Sequence, residues 1–201
     1  MVYQTVPNKP KLKHTDTSYF LDNVVATWKP RSETWHFRWG GDIGAFMGSL
    51  SALYIMYNLR RELKLRQYAR LTCYLPVIGM AGFLTETMYD VFITPQILTG
   101  RKCPLCISTK AAALQIGLGV VYPLVLSPLI GFYLADRLLT YPVPSLSRAP
   151  GEMLKLWAKL VLKSPRPLIA SAVLQGAVMA YITNEQQLFV INYVSSKNKE
   201  N

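Results

Sequence analysis

Two groups of residues have the type and spacing to do chemistry. The first is Cys103-Pro104-Leu105-Cys106, a C-x-x-C pair standing just before a long apolar run. Such a pair at a helix start suits redox exchange, because a helix N-terminus lowers a thiol's pKa. The strand–helix–strand surroundings of a thioredoxin-like motif are missing, however. Zinc would need four ligands, and the two histidines, His14 and His36, lie far off in the N-terminal tail. The third cysteine, Cys73, belongs to another segment. A structural disulfide or plain thiols come first for Cys103 and Cys106, with redox chemistry and metal binding behind. The second group is Glu86 and Asp90, which share one helix face at i, i+4 and continue the line of Gly79 and Gly82. Carboxylates inside an apolar segment serve an ion or proton path, or pair with a cation or a membrane partner. Asp90 precedes Pro95 and is close in sequence to Arg101, Lys102 and Lys110, which favours pairing. A path would also need polar groups on neighbouring segments, where Gln115, Gln175 and a few hydroxyls are all that the sequence offers. No phosphate-cradling glycine loop, H-E-x-x-H or nucleophile elbow occurs. The expectation is a non-enzyme with no cofactor and no metal.

The elements that must position these residues are apolar and long. Hydrophobic residues make up 51% of the 201 and charged residues only 16%, with a net charge of +11. Soluble domains carry about 25% charged residues, so the balance points to a membrane protein with cationic loops or to a basic nucleic-acid binder. Four apolar stretches decide between them: 41–59, 71–94, 111–134 and 167–183. Crossing a bilayer core takes roughly 17–25 such residues in a helix. Stretches one, three and four lack the charged face that a soluble bundle helix needs. The cations cluster beside the stretches, in Arg60–Arg70 and Arg137–Arg166, as the positive-inside rule describes. No nucleic-acid partner is expected. The reading is an all-α polytopic membrane protein: a bundle of four transmembrane helices with short basic loops. Residues 1–39 form a tail with a short interfacial helix over 19–28, residues 40–190 the bundle, and residues 191–201 a polar tail.

Small residues recur at helix-packing intervals: Gly44, Gly48 and Ala52; Gly119, Pro123, Ser127 and Gly131; Ala172, Gly176 and Ala180. Such spacing lets helix backbones approach closely in lipid, and Pro128 is expected to kink the third span. The two basic loops hold more Lys and Arg than the opposite side. That bias puts them on the side of negative potential, with both termini and the Cys103–Cys106 loop opposite.

In the order of its parts the chain resembles the transmembrane protein 126 family of the mitochondrial inner membrane. The likeness runs over about residues 40–190. It rests on a Gly-rich first span, Leu59-Arg60-Arg61, Leu84-Thr85 with Tyr89 and Phe92, Leu98-Thr99-Gly100, Cys103 and Cys106, Tyr122-Pro123 and Glu185-Gln186. Members of that family are assembly factors for respiratory complex I. The resemblance therefore implies a multi-pass scaffold in the mitochondrial inner membrane. Its partners would be other complex I assembly factors and newly made membrane subunits of the respiratory chain. An accessory subunit retained in mature complex I, or a small carrier using Glu86 and Asp90, are the alternatives.

Overall fold

A computed structural model of the chain describes Val25, Trp28, Lys29 and residues 31–65, 70–99, 103–138, 150–161 and 165–200. Apart from Val25 and Trp28, the interfacial helix expected over 19–28 lies outside the described residues. So do Arg101 and Lys102, the cations expected near Asp90. Five helical rods follow in order: α1 (Trp35–Glu62), α2 (Arg70–Leu98), α3 (Pro104–Arg137), α4 (Pro150–Val161) and α5 (Pro165–Glu200). Among the described residues there is no strand.

Helix α1 is the hub and packs against each of the other four. Its inner face is a ridge of small and polar residues, Gly40, Gly44, Gly48, Ser51 and Ala52, giving way to Ile55, Met56 and Leu59. Its outer face carries Trp39, Phe46, Leu50, Leu53, Tyr54 and Tyr57, all exposed. Water would invert that arrangement. Lipid tolerates it, because helix association there rests on close packing and interhelical hydrogen bonds rather than on hiding apolar surface.

Helices α2, α3 and α5 are long and apolar enough to cross a membrane. Only 28% of the most apolar stretch of α2 and of α5, and 44% of that of α3, is buried within the protein. So large an apolar exterior needs a non-aqueous solvent. The chain is thus an all-α, multi-pass membrane protein; among the described residues three helices have clear membrane character, where the sequence alone suggests four. Helix α1, at 28 residues, is ample in length, but its glycines, serines and polar first turn make it less apolar than the other three. Other boundaries also move. Helix α3 starts at Pro104, α5 continues through the expected polar tail to Glu200, and a helix, α4, occupies what reads as a basic loop.

Two of the rods contain a π-helical turn, Leu75–Gly79 in α2 and Gly117–Val121 in α3. Each sits at a proline, Pro76 within the first and Pro123 just after the second. Proline lacks an N–H and pushes against the preceding turn, and a widened turn absorbs the misfit. Two backbone carbonyls near the prolines take side-chain donors. Ser49 Oγ of α1 donates to the Ile78 carbonyl at 3.3 Å. Pro128, inside α3, gives nothing to the carbonyl four residues back, and the Trp157 indole of α4 donates to that Leu124 carbonyl at 3.0 Å. Helix α1 ends with Leu65 N–H on the Arg60 carbonyl and Lys64 N–H on the Arg61 carbonyl, with Lys64 at φ 53°. This is a Schellman cap whose left-handed position holds a lysine.

At the α1–α3 crossing two glycines, Gly48 and Gly119, face each other. A methyl group on Gly119 would stand 3.3 Å from Gly48 Cα, 3.1 Å from Gln115 Nε2 and against the Gln175 amide oxygen. Gly119→Val should therefore destabilise the bundle by about 1–3 kcal/mol, as overpacking typically does. Gly117→Ala is the control, since nothing lies within 4 Å of a methyl group there. Thermal unfolding in detergent checks both; equal melting temperatures for the two variants would refute the crossing.

Candidate functional site

The described residues place polar groups in three settings. The first is a seam down the middle of the bundle. Gln115 on α3 donates through Nε2 to the Gly44 carbonyl of α1 at 3.0 Å and to Gln175 Oε1 of α5 at 2.9 Å. Gln175 in turn donates to the hydroxyls of Ser51 on α1 and Ser171 on α5, which bond each other at 2.7 Å. About two to three turns nearer the N-terminal end of α1, the Tyr89 hydroxyl of α2 donates to Gln186 Oε1 at 2.7 Å and contacts the Thr183 hydroxyl at 2.9 Å. Gln186 Nε2 then donates to the His36 carbonyl at 2.8 Å, while Gln187 reaches Ser108 on α3 at 3.1 Å. The seam ties α1, α2, α3 and α5 together through groups that satisfy one another. Its unpartnered buried atoms are few: among the described residues they are His36 Nε2, Gln115 Oε1 and Ser127 Oγ.

The sequence signal for this seam is faint but present. Ser171 with Gln175, and Thr183 with Gln187, recur at i, i+4 in an otherwise apolar span. The glycines fit the same frame. Gly44 faces Gln115 and Met179, Gly48 faces Gly119 and Thr85, Gly131 faces Leu59 and Leu63, and Gly176 faces Ile116 and Ala112. Each gives a neighbouring helix or a seam amide the room it occupies.

The second setting is outward. Glu86 and Asp90 are exposed on the flank of α2, one step around the helix from its buried stripe of Ala81, Thr85 and Tyr89. They do not face the bundle interior, where carboxylates in a membrane usually point. Of the two glycines expected on their line, Gly82 is buried against Ser49 and Ala45, while Gly79 is exposed. Glu86 packs beside Gly41 of α1, and Asp42 adds a third negative charge that repels Asp90 together with Glu86. The Thr94 side chain hydrogen-bonds Asp90. Lys110, the described member of the cations expected for Asp90, is exposed in the first half of α3.

The third setting is the start of α3. Cys103 is the residue before the first helical turn, with Pro104 at the first position, and both Cys103 and Cys106 are exposed free thiols. The backbone N–H groups of Cys106 and Leu105 and the Cys106 thiol hydrogen-bond the Cys103 sulfur and lower its pKa from the ordinary thiol value. Those donors are the orphan amides of a helix N-terminus. Cys73 is buried elsewhere, in α2, where Arg60 Nη1 donates to its sulfur at 2.9 Å and the guanidinium lies over the Tyr74 ring at 5.4 Å. Arg60 thus differs from its reading as a loop cation. It is buried in the last turn of α1 and ties that turn to the start of α2. Among the described residues no three His, Cys, Asp or Glu gather as a metal site would require.

A helical bundle with this order of small-residue ridges, a mid-bundle proline break and a C-x-x-C at the third rod can be compared with known proteins. The sequence profile described as Transmembrane protein 126 matches residues 27–200. The chain belongs to the transmembrane protein 126 family. Transmembrane protein 126 of Drosophila melanogaster is 30% identical over 165 residues, 81% of this chain and 74% of the relative. Transmembrane protein 126A of Rattus norvegicus is 28% identical over 134 residues, 66% of this chain and 65% of the relative. No solved structure matches. The family match begins near Trp28 and extends to the end of α5, so it takes in the thiol pair, the acidic flank and every member of the seam.

The lowered pKa of Cys103 has a measurable consequence. Thiolate is the species that alkylates, so Cys103 should reach its full alkylation rate at a lower pH than free cysteine does. Iodoacetamide labelling across pH 6–9, read by peptide mass spectrometry, gives the profile. A Cys103 profile matching that of free cysteine would show that the helix amides do not act on the sulfur.

Proposed function

We propose that the chain is a non-enzymatic scaffold of the mitochondrial inner membrane, assisting assembly of the membrane arm of respiratory complex I. Its partners on this reading are other assembly factors and newly made membrane subunits. Family membership supports it, and one structural observation carries it furthest: the carboxylates of α2, Glu86 and Asp90, point away from the bundle. Inside, Gln115, Gln175, Tyr89 and Gln186 are bonded to one another, which suits a packed core better than a path. Outside, Asp42, Glu86 and Asp90 stand on an apolar flank, where a charged group needs a partner. A polar or cationic group on another membrane protein fits that need. On the same reading α1 crosses the membrane as a fourth span, its outer face of Phe46, Leu50 and Leu53 meeting lipid.

The basic ends of α1 and α3 then face the matrix, the side of negative potential, and the Cys103–Cys106 pair faces the intermembrane space. Thiol oxidation is possible there, and a disulfide between the two would fix the turn entering α3 while adding little entropic stabilisation over so short a loop. A membrane-impermeant maleimide, applied to mitoplasts before and after reduction, reads both points. Labelling of the pair only after the inner membrane is opened would invert this topology.

On native gels the protein should co-migrate with complex I assembly intermediates and be absent from the mature complex. Persistence there at fixed stoichiometry would instead make it an accessory subunit. Glu86→Gln combined with Asp90→Asn should weaken that co-migration without altering any solute flux in reconstituted vesicles. Loss of a flux at unchanged abundance would replace the scaffold with the carrier.

A further inference from the structure

Helix α4 (Pro150–Val161, PGEMLKLWAKLV) has two unlike faces. Met153, Leu156 and Trp157 pack on the core formed by Met56, Leu59, Leu63, Phe132 and Ala135. Lys155 and Lys159, one turn apart, are exposed on the other side. The depth at which this helix lies follows from the Trp157 bond to the Leu124 carbonyl. Thirteen residues separate Leu124 from Arg137 at the end of α3, about 20 Å of helix rise. Helix α3 has 34 residues, about 51 Å, against a hydrocarbon core of about 30 Å. Roughly 10 Å therefore overhangs at each end, and Leu124 sits on the order of 10 Å beneath the boundary. An indole reaches that level from a helix lying just beneath the boundary. Amphipathic helices in the plane of an interface sink their apolar face by about 5–10 Å.

The charge around α4 is in positive excess. Arg61, Lys64, Arg137 and Arg166 are exposed at the same end of the bundle, against Glu62, Asp136 and Glu152. Directly beneath this cationic rim the exterior turns apolar, with Tyr57, Leu75, Leu129 and Tyr133 exposed. A ring of cations on the edge of a lipid-facing belt matches the layer where phosphate headgroups lie, and Lys and Arg stems can follow the apolar surface while their heads stay there. The N-terminal end of α1 is different: Asp42, Glu86 and Asp90 occupy the corresponding outer flank.

We propose that α4 is an interfacial helix that binds anionic phospholipid headgroups of the leaflet on the basic side, through Lys155 and Lys159. The Trp157–Leu124 hydrogen bond sets its depth. The carbonyl is open because Pro128 cannot donate to it, so the break in α3 and the seat of α4 are one feature. This site is independent of the complex I reading. It requires only a leaflet carrying negative headgroups.

The test uses the full-length protein in nanodiscs of phosphatidylcholine with one-fifth phosphatidylglycerol, with the lipids retained after gentle release counted by native mass spectrometry. Each cation near a charged surface contributes roughly a fivefold preference. Lys155→Gln combined with Lys159→Gln should therefore lower the retained phosphatidylglycerol, relative to phosphatidylcholine, by tenfold or more. Lys110→Gln, at the opposite end, should leave it unchanged. Trp157→Phe keeps the aromatic packing and removes the donor, and it should reduce the preference by a smaller factor. Should the double variant fail to fold, the wild-type protein still decides, because headgroup binding must weaken as sodium chloride is raised from 0.05 to 0.5 M. Equal retention by wild type and double variant, an equal loss in Lys110→Gln, or retention indifferent to salt would each overturn the proposal. A double variant that keeps its lipid but loses a protein partner on native gels would assign the face to that partner instead.

Discussion

At the level of Gly48 and Gly119 the backbones of α1 and α3 touch, and most of the remaining structure follows from that contact. In lipid there is no gain from hiding one apolar helix behind another, so association depends on how closely two helices fit and on what they bond. Close approach at Gly48 and Gly119 brings the Gln115 and Gln175 amides into one short seam with Ser51 and Ser171. A larger residue at either glycine would displace the amides as well as separate the helices. Packing and hydrogen bonding are therefore one constraint here, and the glycines of α1 serve both. They also explain why α1 is the least apolar of the long helices: its inner face is made of whatever lets its neighbours come near.

Proline imposes a second constraint that the fold turns to use. A backbone carbonyl with no partner is costly in a membrane, and the spanning helices carry internal prolines nonetheless. At two of these breaks a side chain from another helix bonds the backbone. Ser49 of α1 answers the widened turn at Pro76, and Trp157 of α4 answers Pro128. These bonds are directional, so they fix how the rods are rotated and how deeply α4 lies, which apolar contact alone leaves loose.

The sequence shows the class of fold and much of the packing, because both depend on composition along a single helix. Runs without charge and small residues at i, i+4 are visible to inspection. What it hides depends on rotation and on partners far along the chain. Glu86 and Asp90 lie one residue on from the buried Thr85 and Tyr89, and that one step, about 100° of rotation, decides between a lined cavity and an outer flank. Arg60 looks like the first of a run of loop cations until Cys73 and Tyr74 are brought against it. Helix α4 was legible in principle: Met153, Leu156 and Trp157 keep a helical period with Lys155 and Lys159 opposite. Its excess of lysine, placed between two spans, reads first as a topogenic loop. The seam needed the third dimension altogether, since its donors and acceptors are as much as 150 residues apart.

The two ends of the bundle differ in what they offer to the outside. At one, three acids, Asp42, Glu86 and Asp90, stand exposed among apolar residues. At the other, cations stand at the rim of the apolar belt, with a helix lying among them. Lipid headgroups can neutralise a cationic rim, because a leaflet supplies negative charge in quantity. No bilayer supplies a matching layer of fixed cations to an acidic flank below its surface. The charge on α2 must then be met by Lys110 and its neighbours, by neutralisation of the carboxylates, or by another protein. The last of these is what the proposed scaffold role would supply.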